Sequence, residues 1–152
     1  MSSLNNDEHQ EAAHSPALTL LYDGGCPLCL REVKLLGSKD RQRNGELLKL
    51  TFVDIDHADY NPMSYAGISY REAMGRIHAI DESGTVLRDV EVFRRAYGLI
   101  GLGWLYAPTQ WPLLRPIINL AYSIWADLRL RITGRPSLEN LCQARNDKCN
   151  LD

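Results

Sequence analysis

Leu20-Leu21-Tyr22-Asp23-Gly24-Gly25-Cys26-Pro27-Leu28-Cys29 is the stretch whose reading decides the fold. Together with the residues just before it, Ala17 to Tyr22 form an apolar run of strand length. Asp23-Gly24-Gly25 is turn material. Cys26-Pro27-Leu28-Cys29 then opens a segment with helical spacing: Cys29, Val33 and Leu36 fall at i, i+4 and i+7, and Gly37 follows as a candidate stop. The two cysteines are therefore expected at a strand-to-helix junction, within the first helical turn.

That position has chemical consequences. The first turn of a helix carries unpaired N–H groups and the positive end of the macrodipole. A thiolate is stabilised there, so Cys26 is expected to ionise below the free-thiol value of about 8.5. Pro27 suits a first helical position because it has no N–H to leave unsatisfied. Cys29, three residues on, lies on the same side of the helix and can close a small disulfide. The pair reads as a dithiol/disulfide couple in which Cys26 attacks and Cys29 resolves the mixed disulfide. A CxxC pair is also half of a zinc site. The preceding strand and following helix favour the redox reading over a zinc knuckle.

Length and composition set the bounds. A chain of 152 residues is one domain by size, and a hydrophobic share of 45% is enough for a sizeable core. A net charge of −2 gives no argument for nucleic-acid binding. Met1 to Glu8 lack the basic and apolar regions of a signal peptide. No apolar run approaches the roughly 18 residues of a membrane span. A reducing, cytoplasmic compartment is the default expectation, and paired cysteines there are more often catalytic or metal-binding than structural.

Along the chain, residues 1–16 read as a disordered polar tail containing His9 and His14. Strand one covers about 17–22, and its consecutive apolar residues fit a central strand buried on both faces. Helix one covers about 27–37, and Ser38 to Glu46 read as a charged loop or frayed end. Leu50 to Ile55 is strand two. Asp56 to Pro62 is turn material, where His57 and Asp59 have no partner spacing for metal ligation. A short helix is expected within 63–73. Strand three (76–80) and strand four (85–88) flank the turn Asp81-Glu82-Ser83-Gly84 and form an antiparallel hairpin. His78 reads as a core histidine. A helix spans about 90–100, an aromatic, proline-rich loop 104–114, and a long helix 116–132. Ile117, Leu120, Ala121, Ile124, Trp125, Leu128 and Ile132 form its apolar stripe, read as core packing. Docking at a membrane surface is the sharper alternative, given the flanking Arg115, Arg129, Arg131 and Arg135. Residues 136–152 read as a C-terminal tail holding Cys142 and Cys149.

The order strand, helix, strand, helix, strand, strand, helix is the minimal thioredoxin or glutaredoxin arrangement, with the CxxC where that fold keeps its redox pair. The fold expectation is α/β: a thioredoxin-like βαβαββα core over 17–135 with an added long C-terminal helix. Agreement between element order and motif position carries more weight than either alone.

Asp23, Cys26 and Cys29, directly after an apolar strand, resemble the DxxCxxC signature of the DCC family of predicted thiol-disulfide oxidoreductases. The resemblance extends weakly over about 17–135, including Tyr122 and Arg129 on the long helix. It implies a thioredoxin-like fold and disulfide exchange. Two departures from ordinary thioredoxins stand out: Gly25 precedes the first cysteine where they carry an aromatic, and Met74-Gly75-Arg76 leads into strand three where they carry a cis-proline. A substrate-clamping groove of their kind is not expected here.

Asp23 admits three compatible readings. Its charge raises the thiol pKa of Cys26, it accepts a proton from Cys29 during resolution, or it shapes the turn through its own side chain. Cys142 and Cys149 are too irregularly spaced for a standard zinc half-site and are read first as free thiols. The expected function is exchange of the Cys26/Cys29 dithiol with a thiol- or disulfide-containing protein or a glutathione-like small thiol. The expected catalytic residues are Cys26, Cys29 and Asp23, with no organic cofactor, no metal and no nucleic acid. The alternatives are a zinc module ligated by Cys26, Cys29, Cys142 and Cys149, and a peripheral membrane adaptor working through the last long helix.

Overall fold

The computed structural model describes residues 15–145. The tail at 1–14, with His9 and His14, lies outside the described residues, as does Cys149. Four strands form one sheet in the order β2-β1-β3-β4: β1 (Leu18–Tyr22), β2 (Leu50–Asp54), β3 (His78–Asp81) and β4 (Val86–Arg88). β1 and β2 are parallel, with Leu18 opposite Leu50; β1–β3 and β3–β4 are antiparallel. With α1 (Pro27–Asn44), α2 (Tyr70–Gly75) and α3 (Val90–Leu99), this is the expected thioredoxin-like core. α4 (Arg115–Ile132) follows as the added long helix, and a short α5 (Leu138–Gln143) comes after it.

β1 is central because its side chains feed cores on both faces. Leu18 and Leu20 pack with Leu36 of α1 and with Val92, Ala96 and Tyr97 of α3. Leu21 points the other way, into a cluster with Tyr70, Ala73 and Met74 of α2, Leu130 of α4 and Leu141 of α5. The alternation follows from the two-residue period of a strand, and the result is three layers, α/β/α.

Three elements differ from the sequence reading. α1 does not stop at Gly37. It continues to Asn44 and is capped by Gly45, whose φ is +63°. Gly37 lies inside the helix beside the Phe52 ring, where a Cβ would make an ordinary contact at 3.5 Å, so it is neither a stop nor a forced glycine. The charged continuation is good helix-forming sequence, and its one buried member has a structural task. Asp40 is 1% exposed and accepts from Lys49 N–H (2.9 Å), Leu50 N–H (2.8 Å) and Asn44 Nδ2 (2.7 Å). It thereby fixes where β2 begins.

The second difference is α4. Its apolar stripe does not pack in the core: Ile117, Leu120, Ile124, Leu128 and Ile132 are all exposed, Leu120 by 63%. The inward side carries Tyr122, Ala126, Arg129 and Leu130 instead. Hydrophobic periodicity identified the helix but assigned the wrong face to the interior. Third, the stretch beyond residue 135, read as a tail, holds α5, with Leu141 and Cys142 buried. No helix among the described residues is long and apolar enough to cross a membrane.

Replacing Asp40 by Ala leaves two buried backbone donors without their acceptor. Equilibrium denaturant unfolding is expected to show a loss of about 3 kcal/mol, since each such orphaned donor costs roughly 1–3 kcal/mol. A loss below about 1 kcal/mol would mean that water replaces the carboxylate.

Candidate functional site: a capped dithiol at the head of α1

Cys26 is the N-cap of α1, with extended backbone (φ −98°, ψ 113°), and its sulfur accepts from Cys29 N–H at 3.3 Å. Side-chain acceptance of a first-turn N–H is what an N-cap does, so the Cys26 sulfur itself caps the helix. Pro27 occupies the first helical position, as its missing donor predicts. Both thiols are free, and Cys29 Sγ donates to Cys26 Sγ at 2.8 Å. Only a small approach separates this contact from the roughly 2.05 Å of a disulfide.

The turn before the pair is fixed by contacts that require glycine. Gly24 N–H donates to Asp54 Oδ1 at 2.9 Å, and a Cβ at Gly24 would overlap the Asp54 carboxylate. A Cβ at Gly25 would overlap the guanidinium of Arg135. Neither glycine has a positive φ; close approach alone selects them. Asp23 Oδ1 accepts from Gly25 N–H at 2.9 Å, which is the turn-shaping role read from sequence.

Two arginines from the C-terminal part of the chain complete the site. Arg129 on α4 donates through Nη1 to Cys29 Sγ (3.2 Å) and through Nη2 to Met74 O (2.6 Å). Arg135 follows Gly134, whose φ of +68° ends α4 while Arg135 N–H returns to Leu130 O at 2.8 Å. This left-handed glycine turns the chain back over the motif. Arg135 then pairs with Asp23 (3.0 Å) and Asp56 (3.1 Å), and Arg145 pairs with Asp56 at 3.4 Å. The Asp23 side chain is fully buried. A carboxylate in that position is tolerated because a cation faces it, so its charge is answered by Arg135 before it reaches Cys26.

Burial and polarity distinguish the two thiols. Cys26 has no exposed surface. Cys29 and Asp23 line a cavity of about 410 Å³ enclosed by α1, α4 and the approach to β3. Burial pushes the Cys29 thiol up, and its hydrogen bond to Cys26 pushes further. The nearby Arg129 charge opposes both, and the outcome is about 12 against an ordinary 9.0. Cys29 is therefore the protonated partner and Cys26 the acceptor.

Cys26, Cys29 and Asp23 are thus brought together as the motif predicted. Cys142 is not: it is disulfide-bonded and buried in the core beside Leu141. The free-thiol reading is corrected for that residue, and it cannot serve as a thiolate in the four-cysteine zinc reading. Among the described residues no three His, Cys, Asp or Glu side chains gather in a way that could hold a metal ion. His78 is buried, with Nδ1 2.9 Å from Arg76 O; burial lowers its pKa, as befits a core histidine. Arg129 and Arg135 were not read as site residues. The signal available was the group of arginines within and just after a largely apolar helix, Arg115, Arg129, Arg131 and Arg135, but charge alone does not say which side a residue faces.

Residues 20–135 match the family described as DCC1-like thiol-disulfide oxidoreductase. An uncharacterized chloroplastic protein of Arabidopsis thaliana is 44% identical over 128 residues, covering 84% of this chain and 58% of its own length. The chain thus spans little more than half of that relative. No solved structure matches.

The high pKa of Cys29 has a measurable consequence. In the reduced protein, alkylation mapped to Cys29 should climb about tenfold per pH unit from about pH 7 to about pH 9, because only the thiolate reacts. A plateau below about pH 9 would contradict the burial. The sign for stability follows: the unfolded thiol ionises first, so stability falls as pH rises from 9.0 toward about 12.

Proposed function

The chain belongs to the DCC1-like thiol-disulfide oxidoreductase family, and from that premise we propose that it exchanges the Cys26/Cys29 dithiol with disulfide or thiol substrates. The observation that carries this reading is the hydrogen-bonded pair at the head of α1, with sulfurs 2.8 Å apart. Cys26 accepts both the N–H and the S–H of Cys29. It attacks a substrate disulfide, forms a mixed disulfide and releases the first thiolate. Cys29 then loses its proton and attacks Cys26 Sγ, closing the internal disulfide and releasing the second thiolate.

Cys29 needs a proton acceptor for that second step, because burial holds it protonated. Asp23 fits the role: it lines the same cavity, and its Oδ2 is buried with no hydrogen-bond partner. Arg129, donating to Cys29 Sγ, stabilises the charge as it forms.

Two experiments test the assignment. Cys29→Ser is expected to trap a mixed disulfide on Cys26 when mixed with a model disulfide, and Cys26→Ser to trap none. Mass spectrometry that finds the adduct on Cys29 instead would reverse the roles. Asp23→Asn is expected to slow resolution about 10²-fold, the lower range for a lost proton acceptor, while the first attack changes little. Stopped-flow kinetics resolve the two steps, and equal slowing of both would remove Asp23 from proton transfer.

A further inference from the structure

Around this dithiol the structure separates two kinds of substrate. An extended peptide presented to a redox pair is held by main-chain hydrogen bonds to a free strip of backbone. The strip beside Cys29 is Met74-Gly75-Arg76-Ile77, and it is already engaged. Met74 O accepts from Arg129 Nη2 at 2.6 Å, and Ile77 N–H donates to Tyr122 Oη at 3.2 Å. Both partners come from α4, which lies where a peptide would lie. Cys26 in turn has no exposed surface, and the Arg135 guanidinium rests against Gly25 beside it. A disulfide carried on a folded protein would have to pass this cover, whereas a small one can enter beside Cys29, the member of the pair that lines the neighbouring cavity, and meet Cys26 as Cys29 turns aside.

Beneath α4 there is space of another kind. The cavity of about 410 Å³ beside Cys29 falls within the roughly 300–1,000 Å³ typical of small-molecule sites. Its walls are mainly apolar: Leu28 and Val33 of α1, Ile77, Phe93 of α3, and Trp125 and Ala126 of α4. Polar and charged side chains also border it, among them Asp23, Arg76, Tyr122 and Arg129.

We propose that this cavity is the substrate site and that the substrate is a small disulfide, or its thiol, with an apolar body of a few carbons, and not a protein. The proposal rests on the redox reading above. The apolar arm lies against Phe93 and Ala126, and the disulfide reaches the pair from the Cys29 side. Cys26 thiolate attacks one substrate sulfur and RS⁻ leaves. Cys29 gives its proton to Asp23 and attacks Cys26 Sγ, and the second RS⁻ leaves and takes that proton. Both electrons of the protein dithiol thus pass to R–S–S–R, which becomes RS⁻ and RSH.

The test uses the full reduced chain and three probes: dipropyl disulfide, oxidised glutathione and a disulfide-linked pair of extended decapeptides. Closure of the Cys26–Cys29 disulfide is followed by quenched alkylation and mass spectrometry. Each rate is divided by the same probe's rate with free dithiothreitol, to remove intrinsic reactivity. Dipropyl disulfide is expected to lead oxidised glutathione by at least about tenfold, the lower range for a methylene-sized fit in an apolar pocket. Ala126→Leu, which fills the cavity from α4, should erase that lead by slowing dipropyl disulfide at least about tenfold more than oxidised glutathione. Val33→Phe fills it from α1 and serves if the first variant does not fold. A peptide probe that reacts fastest, or filled variants that slow every probe alike, would overturn the small-molecule site while leaving the oxidoreductase reading intact. A pair that no probe oxidises would overturn both.

Discussion

A buried carboxylate must be answered by a cation, and the arrangement of this molecule around its motif follows from that requirement. Asp23 sits at the end of the central strand with its side chain out of solvent, and Arg135 answers it. Removing one member of such a pair costs about 3–5 kcal/mol, because the other is left charged and alone. Arg135 also reaches Asp56 just beyond β2, and Arg145 reaches Asp56 from beyond α5. Four charges therefore tie the edge of the sheet to the C-terminal part of the chain. Gly25 is glycine because the guanidinium passes over it. The motif is thus part of a longer-range constraint linking residues more than a hundred positions apart.

α4 inverts the usual amphipathic arrangement. Its apolar stripe lies outside, while its inner side supplies Tyr122 to a backbone donor and Arg129 to a thiol and a carbonyl. A helix packed by hydrophobic contact alone tolerates sliding by a fraction of a turn. One fixed by directional hydrogen bonds at two points does not, which suits an element that forms the wall of a reactive cavity.

Much of this was legible in the sequence. Asp23, Cys26 and Cys29 are neighbours in the chain, and strand and helix periodicities on either side place them at a junction. The four strands followed from apolar runs and turn chemistry, the parallel β1–β2 half from its helical crossover, and the β3–β4 hairpin from the shortness of the 81–84 turn. Gly37 misled because a glycine can sit inside a helix as well as end it, and the charged residues that continue α1 to Asn44 carry no apolar period to announce it. Arg135 was illegible because its role depends on the left-handed turn at Gly134 and on a partner 112 residues earlier. The outward face of α4 was illegible for a related reason: periodicity reports that a helix has two unlike sides and is silent on which one meets the core.

Because the sulfur of Cys26 also caps α1, chemistry and folding share one atom. A thiolate accepts the Cys29 N–H with charge assistance, whereas a sulfur already bonded to Cys29 is a weaker acceptor. In a thermodynamic cycle, any difference in how well the two oxidation states hold the first helical turn must reappear in the equilibrium between them. The exchange rate is fixed by electron count: about 1.4 kcal/mol corresponds to about 30 mV for a two-electron couple. α1 thereby becomes a transducer. A change anywhere along its eighteen residues that tightens or loosens its first turn alters the chain's appetite for electrons without touching either sulfur.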